Sequence, residues 1–380
     1  MVILYKNNKM KLIKYSILCI FALSCNLLNA STSASLDSVQ FEYCGQARRV
    51  SLMSDLLYAD EDTARYTDHN RTVKMHRDSD GCFRVTVPPV SPGMYTYCFK
   101  VDGHRIPDPN NNDTAWQKLH KWNIYTESGS YMADLCLPPA QWGQVVHTQW
   151  YSHKEKQYRR VDIYIPHSLL SSFQREPGGV VPCPVLYLLH GINGYESSWA
   201  ERGRAIHIME NMIARGECEP AILVMPDCNL HTRADQPSHY SIGNNILHYP
   251  RLRCEHKLDH AISDLIDMID STYNVQPLCS IAGFSDGARI AANIANLRPN
   301  RVSTVGLFSP VINAAQLPKE GNHTYFAIYV GKRDMFYKNG RRFHRRLDKR
   351  GCNHNYVELS GGHTWRIWRE CLANFLLKEK

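Results

Sequence analysis

The sequence predicts an α/β fold: a mostly parallel sheet with helices on both sides, preceded by a smaller all-β region. Two observations predict it. Near-continuous apolar runs at 185–190, 221–225, 280–282 and 325–330 read as strands covered on both faces, and segments of helical spacing separate them. Between about residues 36 and 131, short alternating runs are punctuated by turn residues instead.

In that first region, Val39, Phe41 and Tyr43 alternate, as do Val50 and Leu52. Phe83, Val85 and Val87 alternate until Pro88 and Pro89 stop the strand. Ser91-Pro92-Gly93 makes a turn, Tyr95, Tyr97 and Phe99 alternate again, and Val101-Asp102-Gly103-His104 signals a hairpin. Strands of this length and spacing suggest a β-sandwich. Trp116 and Trp122 are expected in the linker that follows.

The second region, 145–380, opens with a strand pair. His147, Gln149 and Tyr151 alternate, then Val161, Ile163 and Ile165, with Lys154-Glu155-Lys156 as the turn. Residues 171–182 read as a loop. The strand at 185–190 runs into His190-Gly191-Ile192-Asn193-Gly194, and the strand at 221–225 ends in Pro226-Asp227. Helices are predicted over 205–215, with Ile206, Met209 and Ile213 apolar, and over 258–273, with Ile262, Leu265, Ile266 and Ile269 apolar. A strand at 280–282 meets Gly283-Phe284-Ser285-Asp286-Gly287, and a helix follows with Ile290, Ile294 and Leu297 on one face. The next strand is expected at 325–330, then a helix over 335–350 with Phe336, Phe343 and Leu347 inward. A last strand at 356–359 leads into Gly361-Gly362-His363 and a final helix. The arginines and lysines of the 335–350 helix read as a solvated outer face.

A G-x-S-x-G between strand and helix resembles the nucleophile elbow of the α/β-hydrolases. The turn is so sharp that the flanking positions must be small. It lifts the Ser285 hydroxyl above the sheet and aims the Asp286 amide at the same spot. The amide of Ile192, after the His-Gly turn, is the second candidate donor for an oxyanion, and His190 is expected to brace that loop. A serine needs a base, and the base needs a carboxylate to hold its tautomer. In this fold the order is Ser, acid, His. Asp334, just past a buried strand, and His363, in a glycine-rich turn after the last strand, fit that order. His354 precedes its strand, at the wrong end of the sheet.

Together HGING, GFSDG, VGKRD, VMPD and GGHTWRIW resemble the esterase D superfamily, which includes feruloyl esterases, enterochelin esterases and the antigen 85 mycolyltransferases. The resemblance covers about residues 145–378. It implies Ser285 as nucleophile, Asp334 as orienting acid, His363 as general base, and the amides of Ile192 and Asp286 as oxyanion hole, with no metal or cofactor. Many relatives carry methionine where this chain has Asp286. A carboxylate there is expected to raise the pKa of His363 or to disfavour anionic substrates. Trp199 and Trp365 are candidates to stack on an aromatic acid or a sugar, and Asp227 to touch ligand or brace its loop. Trp368, a helical step from Trp365, is a candidate for packing. The segment DGCFRVTVPPVSPGMYTYCFKVDGHRIPDPNN resembles the immunoglobulin-like early-set domains, related to glycogen-binding modules, that precede some carbohydrate esterases. It makes Tyr95 and Tyr97 candidates for a glycan platform.

The expected substrate is an ester-decorated polysaccharide or oligosaccharide, with feruloyl or acetyl groups on xylan leading. A siderophore trilactone, acyl transfer to a sugar hydroxyl, and a non-catalytic glycan-binding role are the alternatives. A formal charge of +8 on 380 residues is mild and does not indicate nucleic-acid binding. Residues 1–30 read as a cleaved secretory leader: Lys6, Lys9, Lys11 and Lys14 come before or at the edge of an apolar run, and Leu28-Asn29-Ala30 resembles a cleavage site. The protein is therefore expected to be secreted or periplasmic, with a lipid anchor at Cys25 as the minority option. Of 13 cysteines, Cys19 and Cys25 fall in the leader. The remainder is odd, so at least one thiol stays free, and no C-x-x-C suggests a structural zinc.

Overall fold

The computed structural model describes residues 38–58, 71–117, 120–173, 181–192, 194–229, 255–319 and 323–377. The leader and Cys25 lie outside them. From Ser38 onward the chain forms one compact unit.

The first part is built from β1 (Val39–Tyr43), β2 (Val50–Ser54), β3 (Arg71–Lys74), β4 (His76–Arg77), β5 (Phe83–Val87), β6 (Gly93–Val101), β7 (His104–Ile106), β8 (Thr114–Gln117) and β9 (His120–Glu127). They form a three-stranded sheet, β1-β5-β4, and a larger sheet ordered β3-β2-β6-β9-β8 with β7 beside β6. The pairs are antiparallel throughout. The two sheets share a core of Phe41, Leu52, Val85, Val87 and Phe99, whose alternation was legible in the sequence. Asp102 and Gly103 turn β6 into β7 with both φ angles positive, 47° and 98°, which matches the twist of the paired strands. Cys44 and Cys82 form a disulfide. Eight further cysteines, from Cys98 to Cys371, form no disulfide among the described residues.

Two expectations for this part are corrected. Trp116 and Trp122 are strand residues, on β8 and β9. Trp122 is buried against Met53 and Cys98. Tyr97 is buried in the shared core with its hydroxyl on Asp108, and Tyr95 is packed against the same core with its hydroxyl on the Ser91 carbonyl. Tyr97 is therefore a core residue, while Tyr95 stays half-buried.

The second part begins with α1 (Tyr131–Leu135), β10 (Gln144–Ser152), β11 (Gln157–Ile165), α2 (His167–Phe173), β12 (Val185–Leu189), α3 (Ser198–Glu201), α4 (Ala205–Ala214) and β13 (Ile222–Pro226). It continues with α5 (Glu255–Thr272), β14 (Cys279–Phe284), α6 (Asp286–Leu297), β15 (Val302–Phe308), β16 (Tyr325–Gly331), α7 (Tyr337–Lys349), β17 (His354–Leu359) and α8 (Trp365–Leu376). One eight-stranded sheet runs β10-β11-β13-β12-β14-β15-β16-β17. The six strands from β13 to β17 along that order are mutually parallel, and β10 and β11 are antiparallel neighbours at one end. One core, with Ile262, Leu265, Ile290 and Ile294, fills one face. Another, with Met209, Trp199, Ile367 and Trp368, fills the other.

β15 lies where the sequence predicts no strand, residues 171–173 end α2 where a loop is expected, and α7 begins two residues after its expected start. Leu297, expected on the inner face of α6, is exposed at its last turn. Polar contacts tie the first part to the second: the Trp116 amide donates to Glu201 at 2.9 Å, and the Arg369 guanidinium reaches the Met94 and Arg202 carbonyls.

Candidate active site

Parallel strands place every loop that follows them at the same rim of the sheet. Here His190 follows β12, Asp227 β13, Ser285 β14, Ser309 β15, Asp334 β16 and His363 β17.

Ser285 joins β14 directly to α6 at φ 57° and ψ −117°, a conformation costly for a residue with a Cβ. Backbone bonds hold it there. Its N–H donates to the Phe308 carbonyl at 2.9 Å, and its carbonyl accepts from the Val311 amide at 3.1 Å. The glycines explain why the motif reads as it does. A Cβ on Gly283 would lie 2.5 Å from the Gly287 carbonyl carbon, and one on Gly287 would lie 2.5 Å from the Leu189 carbonyl oxygen. A Cβ on Gly191 would approach Ser285 Cβ to 3.0 Å, so the His-Gly loop packs directly on the serine. Asp286 is the first residue of α6, and its N–H stands outside the helical ladder. The side chain of Ile192 is exposed at the rim.

His190 braces this loop. Its Nε2 accepts the Cys228 amide at 2.8 Å, so its Nδ1 carries the proton and donates to the Gly191 carbonyl at 2.7 Å. Asp227 is a loop brace too: it is buried, and its Oδ1 accepts both the amide and the side-chain nitrogen of Asn229 at 2.9 and 2.8 Å.

Asp334 and His363 meet. His363 Nδ1 lies 3.0 Å from Asp334 Oδ2 and 3.2 Å from Oδ1. The two loops are laced by the Arg333 amide on the Gly361 carbonyl, and a Cβ on Gly331 would sit 2.3 Å from that same oxygen. Burial works against the Asp334 carboxylate. The bond from His363, the nearby Ser309 hydroxyl and the Phe336 amide outweigh it and hold the group below the ordinary carboxylate range. With Nδ1 on the carboxylate, the imidazole leaves Nε2 for proton exchange. Aromatic contacts connect His363 to the turn that carries Ser285: His363 lies edge-on to Trp368 at 4.9 Å, and Trp368 stacks on Phe284, the residue before Ser285, at 3.9 Å.

Three expectations change. Trp199 is 1% exposed, with its indole N–H on the Leu189 carbonyl, and Trp365 is wedged between Trp199 and Phe284. Both are core residues that support the elbow from below, not surfaces for a ligand. The Asp286 carboxylate is buried against Arg289, at 2.8 and 3.2 Å, so it does not act as an isolated negative charge. Phe336, expected inward on α7, precedes that helix and packs edge-on against His363 at 5.1 Å. Ser309 follows β15, a strand that no apolar run in the sequence announces. Its φ of 47° beside the acid is a feature of chain geometry that composition does not encode.

A serine on a strained strand-to-helix turn, with an acid–imidazole pair at the same rim of a mostly parallel sheet, defines an α/β-hydrolase-like protein. Residues 152–378 match the family model described as "Putative esterase", and the chain belongs to that esterase family. It is 27% identical over 154 residues to an endo-1,4-beta-xylanase/feruloyl esterase of Xylanibacter ruminicola. That match takes in 40% of this chain and only 20% of the relative. Among solved structures, the enterobactin esterase of Shigella flexneri, in the presence of enterobactin, is 16% identical with a TM-score of 0.59, over 89% of this chain and 91% of that one. A ferulic acid esterase of Anaeromyces mucronatus in complex with ferulic acid is 18% identical with a TM-score of 0.50, over 71% of this chain and 97% of that one. At such identities these likenesses speak to the fold alone.

Proposed function

We propose that this protein is a serine carboxylesterase that removes feruloyl or acetyl groups from plant cell-wall polysaccharide such as xylan. The observation that carries the chemistry is the Asp334–His363 pair at the rim where Ser285 stands on its strained turn. Ser285 attacks the ester carbonyl while His363 Nε2 takes its proton. Asp334 holds the imidazole by Nδ1 and stabilises its charged form. The oxyanion rests on the amides of Ile192 and Asp286. Each such donor is worth about 100- to 1,000-fold in rate. His363 then protonates the leaving alcohol, and water repeats the sequence on the acyl-enzyme.

The substrate class draws support from the partial match to a protein named a xylanase/feruloyl esterase. The exposed apolar side chains of Ile192 and Met335, beside the two loops of the site, suit an aromatic acid. A second reading, a siderophore esterase of the enterochelin type, is favoured by a likeness of fold that takes in 89% of the chain, its first part included. The two antiparallel sheets of that part are read as an immunoglobulin-like module beside the catalytic region. Its role in glycan contact, and export through the leader, belong to the same proposal.

The deciding experiment incubates wild-type protein and Ser285→Ala with feruloylated and acetylated xylo-oligosaccharide and with a catecholate trilactone, following each acid released. Ferulate or acetate release that vanishes in the variant is the expected result. Turnover of the trilactone alone would replace the substrate. Equal rates in variant and wild type would discard the serine mechanism.

A further inference from the structure

Away from the catalytic rim, at the opposite end of β17, three side chains converge. His344 and Asp348 stand one turn apart on α7, and His354 opens β17. Their ligand atoms all lie within 4.8 Å of one another. The proton positions follow from what each partner can do. The Cys352 carbonyl can only accept, so His354 Nδ1, 2.8 Å away, carries the proton and its Nε2 is a lone pair. That lone pair lies 2.7 Å from His344 Nδ1, which must therefore be the donor. The other nitrogen of His344, Nε2, faces Asp348 Oδ2 at 3.4 Å. Asp348 Oδ1 stands 3.6 Å from His354 Nε2, closing the triangle.

The geometry points to a divalent transition-metal site of the zinc class, with His344 Nδ1, His354 Nε2 and Asp348 Oδ1 as ligands: the metal takes the place of the proton between the two rings, and that proton moves to His344 Nε2, which faces Asp348 Oδ2. Two imidazoles and one carboxylate suit zinc better than calcium or magnesium. Metal–ligand bonds of about 2.0–2.2 Å in a tetrahedron put neighbouring ligand atoms roughly 3.3 Å apart, a spacing that lies between the 2.7 Å from His354 Nε2 to His344 Nδ1 and the 3.6 Å from it to Asp348 Oδ1. An outer partner is already in place: the carbonyl on His354 Nδ1 fixes that ring's tautomer, as outer-shell carbonyls do in metal sites. Tyr356 stacks on His344 at 4.5 Å and restrains its ring. The Asp348 side chain is 56% exposed, so ion and water have access from solvent. Binding would clamp α7, which follows the Asp334 loop, to β17, which leads into the His363 loop.

The test is isothermal titration of chelator-treated full-length protein with zinc chloride, beside Asp348→Asn and His344→Gln, with thermal melts of each. Asp348 is exposed, so its variant should fold. The wild type should bind one more ion than either variant, or bind it tighter by more than the roughly 10- to 100-fold that loss of a mere outer partner costs. Zinc should raise its melting temperature more than theirs, and cobalt(II) should give a visible band in the wild type that Asp348→Asn lacks. Identical isotherms and melts would overturn the assignment. So would His344 and His354 ring resonances that zinc leaves unmoved, since the two rings would then keep the proton between them.

Discussion

Arg289 grips the Asp286 carboxylate through two hydrogen bonds, 2.8 and 3.2 Å long, within the first turn of the helix that carries the elbow. Both side chains are buried. Removing one partner of a buried pair strands the other charge, at a cost of about 3–5 kcal/mol. Arg289→Met should therefore destabilise strongly, and Asp286→Met with Arg289→Met should recover much of the loss in denaturant melts. Because the pair offsets its own charge, the double variant should keep the acidic limb of the pH–rate profile. Arg289→Met alone should move that limb upward.

Asp334 accepts from His363 and thereby selects which imidazole nitrogen faces the rim. Asp334→Asn can offer its amide N–H to Nδ1 and favour the wrong tautomer. If Asp334 serves as the acid of a serine triad, kcat should fall about 10,000-fold, with KM little changed. Steady-state kinetics on a p-nitrophenyl ester measure it. A loss confined to KM would count against the assigned role.

Trp199 is a core residue, edge-on to Phe284 and Trp365 at 5.5 and 5.4 Å. Trp199→Ala should cost about 3–5 kcal/mol of stability. A ligand platform would behave differently, raising KM for an aromatic ester while leaving the melt unchanged. Chemical denaturation and KM, measured on one preparation, separate the two.

His207 is pushed down to about 3 by burial and by the Arg204 guanidinium beside it. The unfolded chain takes that proton near 6.5, the ordinary value. Between these two pH values the unfolded state binds more protons, so stability falls as pH falls. The contribution is fully present above pH 6.5 and is lost on descent through about 3. At its steepest it approaches about 1.4 kcal/mol per pH unit. His207→Gln should flatten the acid side of a stability–pH curve, whatever its effect at neutral pH.

Much of this protein was written in local patterns. Runs such as Val185 to Leu189 and Tyr325 to Val330 announce strands buried on both faces, because a strand between two layers of helices has no polar side to show. Gly283 and Gly287 flag the elbow, because a Cβ at either would strike backbone. Asp334 and His363 were legible as residues that follow strands. The strand at Val302–Phe308 was not, since Ser303, Thr304 and Gly306 interrupt its apolar run. What the folded chain alone decided were questions of partnership. Whether an indole near the site faces ligand or core, whether Asp286 carries an open charge, and whether His344, Asp348 and His354 form a group all depend on which distant atoms become neighbours. Spacing along the chain carries periodicity, which is local. Charge pairing and burial are set by contacts between segments far apart in the sequence, and only the packed structure supplies those.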